Sequence, residues 1–352
     1  MATPVDILAL DRASLKAWVE ESDPGFRADQ LWRWLWKQGE RNLDAMTNLP
    51  ASLRERISTK GVINQLSLSG QQVASDGTIK FLFALTSGRH VETVLIPDFA
   101  EDGMPVRMTV CVSSQVGCAM GCSFCATGLM GFQQNLTSGE IAEQVQLADH
   151  AARTTYDSQV SNVVFMGMGE PLLNMDGVLG AIEKLTADDG FGLGAKRITV
   201  STVGLATRIR ELADLEARFG LAVSLHAPFN DKRSSIMPVN RKAKTDLDSL
   251  MSAIKYYTDK TGRRITYEYC MFAGFNDSIE DARELAKLVQ QAPAKVNLIM
   301  YNPVEGLGFH RSEEDTLDRF ISELVKKKVT VTVRRSRGQD IDAACGQLAI
   351  NQ

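Results

Sequence analysis

The chain has 352 residues, 44% hydrophobic and 23% charged, with a formal net charge of −4 at pH 7. This is the composition of an ordinary globular protein with room for two domains or one large α/β barrel plus an added segment. It excludes a low-complexity chain, a bilayer-spanning run and nucleic-acid binding by bulk positive charge, and Asp6 and Asp11 interrupt the first residues where a signal peptide needs an apolar stretch, so a cytoplasmic protein with no membrane partner is expected.

Residues 1–60 are helical in composition and hold all four tryptophans, Trp18, Trp32, Trp34 and Trp36. The plain reading is a small helical accessory domain with an aromatic core. Arg27, Arg33, Lys37 and Arg41 in the same stretch leave an RNA-contacting surface open, because basic residues mixed with aromatics also build such surfaces. Residues 61–105, with "TIKFLFAL" and "HVETVLIP", read as a strand pair linking this domain to the main one.

From residue 106 the pattern changes. Six β-rich runs, 106–112, 161–167, 197–203, 221–227, 265–272 and 296–302, alternate with amphipathic helical stretches such as "SGEIAEQVQLADHAA" and "SIEDARELAKLVQQ". Six strand-helix units in series imply parallel strands joined by right-handed crossovers, in a doubly wound sheet or an incomplete barrel. The core is expected over 106–328, with a C-terminal strand and tail over 329–352. In either architecture the active site lies at the C-terminal ends of the strands. The distinctive motifs fall there: a cysteine cluster after the first run, "GMGEP" after the second, "STVG", "SLHAP" and "YNP" later.

Four of the six cysteines lie in "VCVSSQVGCAMGCSFCATG", residues 110–128. In a reducing compartment such a cluster reads as metal-binding or catalytic rather than as a disulfide framework. Cys118, Cys122 and Cys125 supply three thiols from one loop, and no second Cys or His pair appears downstream to complete a structural zinc site. A [4Fe–4S] cluster held by three cysteines leaves one iron open to a small molecule, and the spacing favours that. Cys111 stands outside the trio. Cys345, flanked by alanines near the C-terminus, reads on its own as a small buried residue, and so does Cys270. Glu92 on its own reads as a solvated strand residue. Lys326 to Lys328, Arg334, Arg335 and Arg337 make a basic stretch that is either a solvated face or a grip on RNA phosphates.

The C-x3-C-x2-C trio after the first strand, followed by "GMGEP", resembles the radical S-adenosylmethionine (SAM) superfamily, and implies a partial (β/α)6 barrel that binds a [4Fe–4S] cluster through Cys118, Cys122 and Cys125. With "FMGMGEPLLN", "SLHAP", "YNP" and "DIDAACGQL" added, nearly the whole chain resembles the RlmN/Cfr family of adenine methyltransferases within it. The resemblance implies that Cys345 carries a methyl group as S-methylcysteine. It implies that Cys111 helps remove the ring proton and resolves the covalent RNA adduct by a transient disulfide with Cys345, and that Glu92 accepts a proton. Gly169, Glu170, Ser201, Ser224, Leu225, His226 and Asn302 match the family's SAM-contacting positions.

The implied substrates are 23S rRNA at the peptidyl-transferase centre and adenosine 37 of tRNA anticodon loops, methylated at C2 with two SAM consumed per methylation. A low-potential electron donor of flavodoxin type is implied as a partner, and a monomer is the simplest expectation. The family's other branch methylates C8; the start "FRADQLWRWLW" and the ending "SRGQDIDAACGQL" look more like the C2 branch, although both branches share the cysteines. A zinc- or iron-bearing RNA-binding protein without catalysis is the reading from a different class, and it leaves Cys111 and Cys345 unexplained.

Overall fold

The computed structural model describes residues 4–239 and 243–349. At the N-terminus β1 (Val5–Asp6) pairs with β2 (Gly61–Val62), and between them lie α1 (Arg12–Glu20), α2 (Phe26–Trp32) and α3 (Ala51–Lys60). Asp11 caps α1 by accepting from the Ser14 amide, a donor the helix itself leaves unpaired. A π-helical turn, Arg33–Lys37, continues α2. Trp18, Trp32 and Trp36 are buried, and Trp34 donates its indole N–H to Asn48 Oδ1 at 2.6 Å. The aromatic core is therefore real.

The chain then enters a ten-stranded sheet. It comprises β3 (Ser67–Val73), β4 (Ile79–Ala84), β5 (His90–Phe99) and β6 (Pro105–Cys111), followed, after the short hairpin strands β7 (Gln115–Val116) and β8 (Gln134–Asn135), by β9 (Asn162–Phe165), β10 (Ile198–Thr202), β11 (Gly220–Ser224), β12 (Ile265–Met271), β13 (Ala294–Met300) and β14 (Val331–Arg334). The order is β14-β13-β12-β11-β10-β9-β6-β5-β4-β3. All pairings from β6 to β14 are parallel, and those from β3 to β6 are antiparallel. Each of the six predicted runs is a strand, and β14 adds a seventh parallel one. The expected pair over residues 61–105 is a three-stranded meander, because β3 joins β4 as an exposed edge that sequence alternation did not reveal. This segment extends the main sheet rather than merely leading to it.

The crossovers include α4 (Ala126–Leu129), α5 (Ser138–Tyr156), α6 (Met175–Thr186), α7 (Ala206–Asp214), α8 (Asn230–Ile236), α9 (Leu247–Thr261), α10 (Ile279–Val289) and α11 (Glu314–Lys326). Thr137 and Glu140 form a capping box on α5, and Ser278 with Asp281 one on α10, so these starts are fixed by side chains that satisfy the first free amides. Among the described residues β14 has no second strand neighbour, which leaves the barrel open on that side. No helix is long and apolar enough to cross a membrane among the described residues.

The helical domain is anchored on α5 and α6. Lys184 is fully buried; its ammonium donates to the Leu10 carbonyl (2.9 Å) and Ser138 Oγ (2.8 Å) and lies 5.6 and 5.3 Å from the ring centroids of Trp32 and Trp36. The aromatic faces and two oxygens offset the cost of burying this charge. Arg41 is also internal, stacking on Trp36 and pairing with Glu143 at 3.5 Å. It is therefore not part of an RNA surface.

Candidate active site

The cysteine loop grows from the end of β6. Its base is closed by the β7–β8 pairing, where Gln115 sits opposite Asn135. Gly117 has φ +68°, and a Cβ there would lie 1.8 Å from the Gly131 carbonyl, so only glycine lets the two arms of the loop close. Asn174, buried just after "GEPLL", donates to the carbonyls of Ser114 and Leu136, both at 2.8 Å, and pins both arms.

Burial pushes the Cys122 thiol well above its ordinary range, and the neighbouring thiols of Cys125 and Cys118 act in the same direction. Burial likewise raises Cys125, against hydrogen bonds from Gly128 and Thr127. Three mutually interacting thiols in a buried loop need a positive partner to be deprotonated together. Part of that charge is supplied by Arg233 on α8, buried and within electrostatic reach of Cys122. Cys118, Cys122 and Cys125 offer three sulfur donors from one loop, a donor set that fits an iron–sulfur cluster with one open iron.

The C-terminal tail docks directly on this loop. The Ala126 amide donates to the Gly346 carbonyl at 2.8 Å, and Thr127 Oγ1 donates to the Leu348 carbonyl at 2.6 Å. Asn302, buried at the end of β13, donates to the Cys345 carbonyl at 3.3 Å and accepts from Gln339 at 2.8 Å. Cys345 thereby reaches the lumen of the open barrel, where a 650 Å³ cavity is lined by Cys111, Cys345, Glu268, Asn302 and Arg334 among others. Burial pushes the Cys111 thiol up to about 12; nearby Cys345 adds to this, while Arg334 and the Met166 amide oppose it. Two cysteines 234 positions apart in sequence share one cavity.

The remaining candidates surround this lumen. Gly169 has φ +103°, and a Cβ there would meet Gln115 at 2.6 Å, so the "GMGEP" turn presses on the base of the cysteine loop. Glu170 is buried; its carboxylate accepts from the amides of Leu172 (3.0 Å) and Val203 (2.8 Å), and burial raises its pKa to about 7 against those bonds. Its side chain thus ties two strand-end loops together. In register, Ser201 aligns with Ala222 and Thr266, and Ser224 with Glu268, which places both serines on the lumen face.

Leu225 is fully buried, and His226 takes a left-handed conformation (φ +55°) with Nδ1 accepting from the Cys270 amide at 2.9 Å. Burial, with Arg233 nearby, lowers the His226 pKa to about 3, so the ring is neutral; it meets Phe124 of the cysteine loop edge-on at 5.0 Å. Cys270 is buried, as expected.

Two expectations need correction. Glu92 is not solvated: it is buried, with Lys80 at 3.3 Å, and burial raises its pKa against that pairing. It shares the sheet face of Cys111 but lines an adjoining cavity of about 390 Å³, shared with Asp340, Asp342 and Ala349 of the tail. The basic stretch does not form one surface either, because Arg334, Arg335 and Arg337 line the lumen cavity, Arg337 contacting Asp98 at 3.4 Å, whereas Lys326 to Lys328 are exposed at the end of α11. Arg233, Arg334, Glu268 and Asn174 also flank the cysteine loop and the lumen. Only Arg334 gave a signal, and it was read as surface.

The chain matches the model of the radical SAM superfamily over residues 112–288 and that of the "ribosomal RNA large subunit methyltransferase N-terminal domain" over residues 5–63. It is 57% identical over 346 residues to the probable dual-specificity RNA methyltransferase RlmN of Salinibacter ruber, covering 98% of this chain and 94% of that one. It is 47% identical to the RlmN of Nitratidesulfovibrio vulgaris, covering 99% and 95%. The crystal structure of a radical SAM methyltransferase from Sphaerobacter thermophilus superimposes with a TM-score of 0.90 at 43% identity, over 98% and 99% of the two chains. Membership of this superfamily brings a [4Fe–4S] cluster and SAM as cofactors. The chain is a radical SAM enzyme of the RlmN family of RNA methyltransferases.

Proposed function

We propose that the chain methylates C2 of adenosine in two RNAs, 23S rRNA at the peptidyl-transferase centre and adenosine 37 of tRNA anticodon loops, with Cys345 carrying the methyl group as S-methylcysteine and two SAM consumed per methylation. The observation that carries this reading is the docking of the tail, which sets Cys345 in one cavity with Cys111 and against the loop of the cysteine trio. Catalysis needs such convergence, since groups held in contact react far faster than free ones.

Cys118, Cys122 and Cys125 hold the cluster, and Arg233 balances the charge beside Cys122. The cluster and SAM together supply methyl groups and a 5′-deoxyadenosyl radical. Gly169 and Glu170, Ser201, Ser224 to His226 and Asn302 line the strand ends where SAM sits; His226 is neutral there and Asn302 steadies the Cys345 loop. Cys111 resolves the adduct between Cys345 and the ring. Glu92 accepts the ring proton from the adjoining cavity, a role that its raised pKa favours over that of an ordinary surface carboxylate.

Residues 1–60 serve as an accessory domain, 61–105 as its strand connection, 106–328 as the radical SAM core and 329–352 as the strand and tail that deliver Cys345. The enzyme works in the cytoplasm as a monomer and receives electrons from a flavodoxin-type donor. Nucleoside mass spectrometry of rRNA and tRNA from cells lacking the endogenous activity, after incubation with the reconstituted enzyme, tests the reading. 2-Methyladenosine in both RNAs is expected. 8-Methyladenosine, or no methylated adenosine, overturns it.

A further inference from the structure

The lumen holds a polar ladder that the reaction outlined above does not use. Glu268 on β12, Asn297 on β13 and Thr332 on β14 are aligned in register, so their side chains share the lumen face. Glu268 Oε2 accepts from Asn297 Nδ2 at 2.7 Å, and Asn297 Oδ1 accepts from Thr332 Oγ1 at 3.1 Å. Arg334 lies two residues further along β14, towards the strand ends and the cysteines. Its guanidinium donates to Met166 Sδ at 3.3 Å, and its charge faces Cys345, Glu268 and Cys111. The Met166 backbone in turn contacts the Cys111 sulfur.

A cation that lines one cavity with two thiols and a buried carboxylate is more than a surface charge turned inward. The charged or titratable groups acting on Cys111 are Arg334 and Cys345, while Glu268 faces Arg334 from β12; Lys295 on β13 and Arg335, Arg337, Asp98 and Arg107 line the same cavity, Asp98 pairing with Arg107 at 3.1 Å and with Arg337 at 3.4 Å. Cys111 is buried, and a buried thiol resists becoming the thiolate that attacks sulfur.

We propose that Arg334, held by Met166 in the cavity it shares with Glu268, is the positioning residue for sulfur exchange between Cys111 and Cys345. The inference rests on the function proposed above. In the step concerned the Cys111 sulfur attacks the Cys345 sulfur of the RNA-linked thioether. The S–S bond forms, the S–C bond breaks, and the electron pair passes to the methylene carbon. The proton given up by the Cys111 thiol is balanced by one taken up at that carbon. The two sulfurs are oxidised to a disulfide as the methylene is reduced to the methyl group of the product.

The test uses the cluster-loaded enzyme in anaerobic single turnover with tRNA, followed on denaturing gels. Arg334→Gln should load methyl on Cys345 as the parent does, yet resolve the protein–RNA adduct at least tenfold more slowly at neutral pH. Its rate and the parent's should both climb about tenfold per pH unit, as for reactions limited by a small thiolate fraction, with the gap between them kept, and Arg334→Lys should restore most of the lost rate. Without RNA or SAM, alkylation of Cys111 by iodoacetamide, read by peptide mass spectrometry, should be slowed tenfold in Arg334→Gln. Resolution and alkylation at the parent's rates overturn the inference, as does a slow step that neither pH nor lysine rescues. Cys111→Ala is the control: if it traps no adduct, the function proposed above falls and the inference with it, whereas a trapped adduct beside an unimpaired Arg334→Gln removes Arg334 alone.

Discussion

Asn174→Ala examines what holds the cysteine loop. The side chain is buried and spends both N–H donors on carbonyls of opposite arms, Ser114 and Leu136, at 2.8 Å each. Each bond is worth about 1 kcal/mol net, and leaving a buried carbonyl short of a donor adds roughly 1–2 kcal/mol. The Ser114 carbonyl keeps the Leu136 amide at 3.1 Å, so only the Leu136 oxygen carries that extra cost. The total is about 3–4 kcal/mol. At about 2.1 cal/mol/K of unfolding entropy per residue, a chain of this length loses roughly 1.4 °C of Tm per kcal/mol, so a drop of about 4–6 °C is expected.

Because the bridge closes the loop itself, iron and sulfide per chain after reconstitution should fall as well. Differential scanning calorimetry and iron analysis on the same preparation provide the assay. A variant with the parent's Tm and full iron content refutes the reasoning, since the loop would then close without Asn174.

Other predictions address separate parts of the molecule. Cys345→Ala should abolish RNA methylation while retaining the parent's iron content, and Cys111→Ala should leave a slow-migrating protein–RNA adduct on denaturing gels. His226 has its folded pKa depressed to about 3, below the ordinary 6.5, so the stability it contributes is present above pH 6.5 and is lost as pH falls towards 3. The slope from this group approaches about 1.4 kcal/mol per pH unit well below pH 6.5, and His226→Gln should flatten denaturant-melt stability between pH 5.5 and 6.5 by about 1 kcal/mol. Lys184→Ala empties the site between Trp32 and Trp36 and removes the donor to Leu10 and Ser138. Limited trypsin digestion should then release the helical N-terminal segment at least several-fold faster, at a stability cost of about 2–4 kcal/mol.

The sequence was most legible where a local rule sets the structure. Six β-rich runs became six adjacent parallel strands because buried parallel strands read as near-continuous apolar runs, as Leu221 to Val223 and, apart from the lumen-facing Glu268, Tyr267 to Met271 do. The cysteine trio was legible because its spacing lies within a single loop. Arg334 was not, because the alternation in "VTVTVRR" states that one face differs from the other without stating which is inside; pairing with β13, 35 residues upstream, decides that. Glu92 was misread for a related reason. Its strand face would be solvated if the tail, some 250 residues later, did not cover it. Asn174 carried no signal, since its partners Ser114 and Leu136 are neighbours only once the loop has closed.

The central claim, that Cys345 relays the methyl group to the ring carbon, is tested most directly by supplying SAM with a trideuterated methyl group and weighing the methyladenosine formed. Loss of one hydrogen from the S-methyl group on Cys345, followed by return of a solvent proton, predicts a product methyl group with two deuteriums. A product that retains all three shows direct transfer from SAM to RNA and contradicts the account.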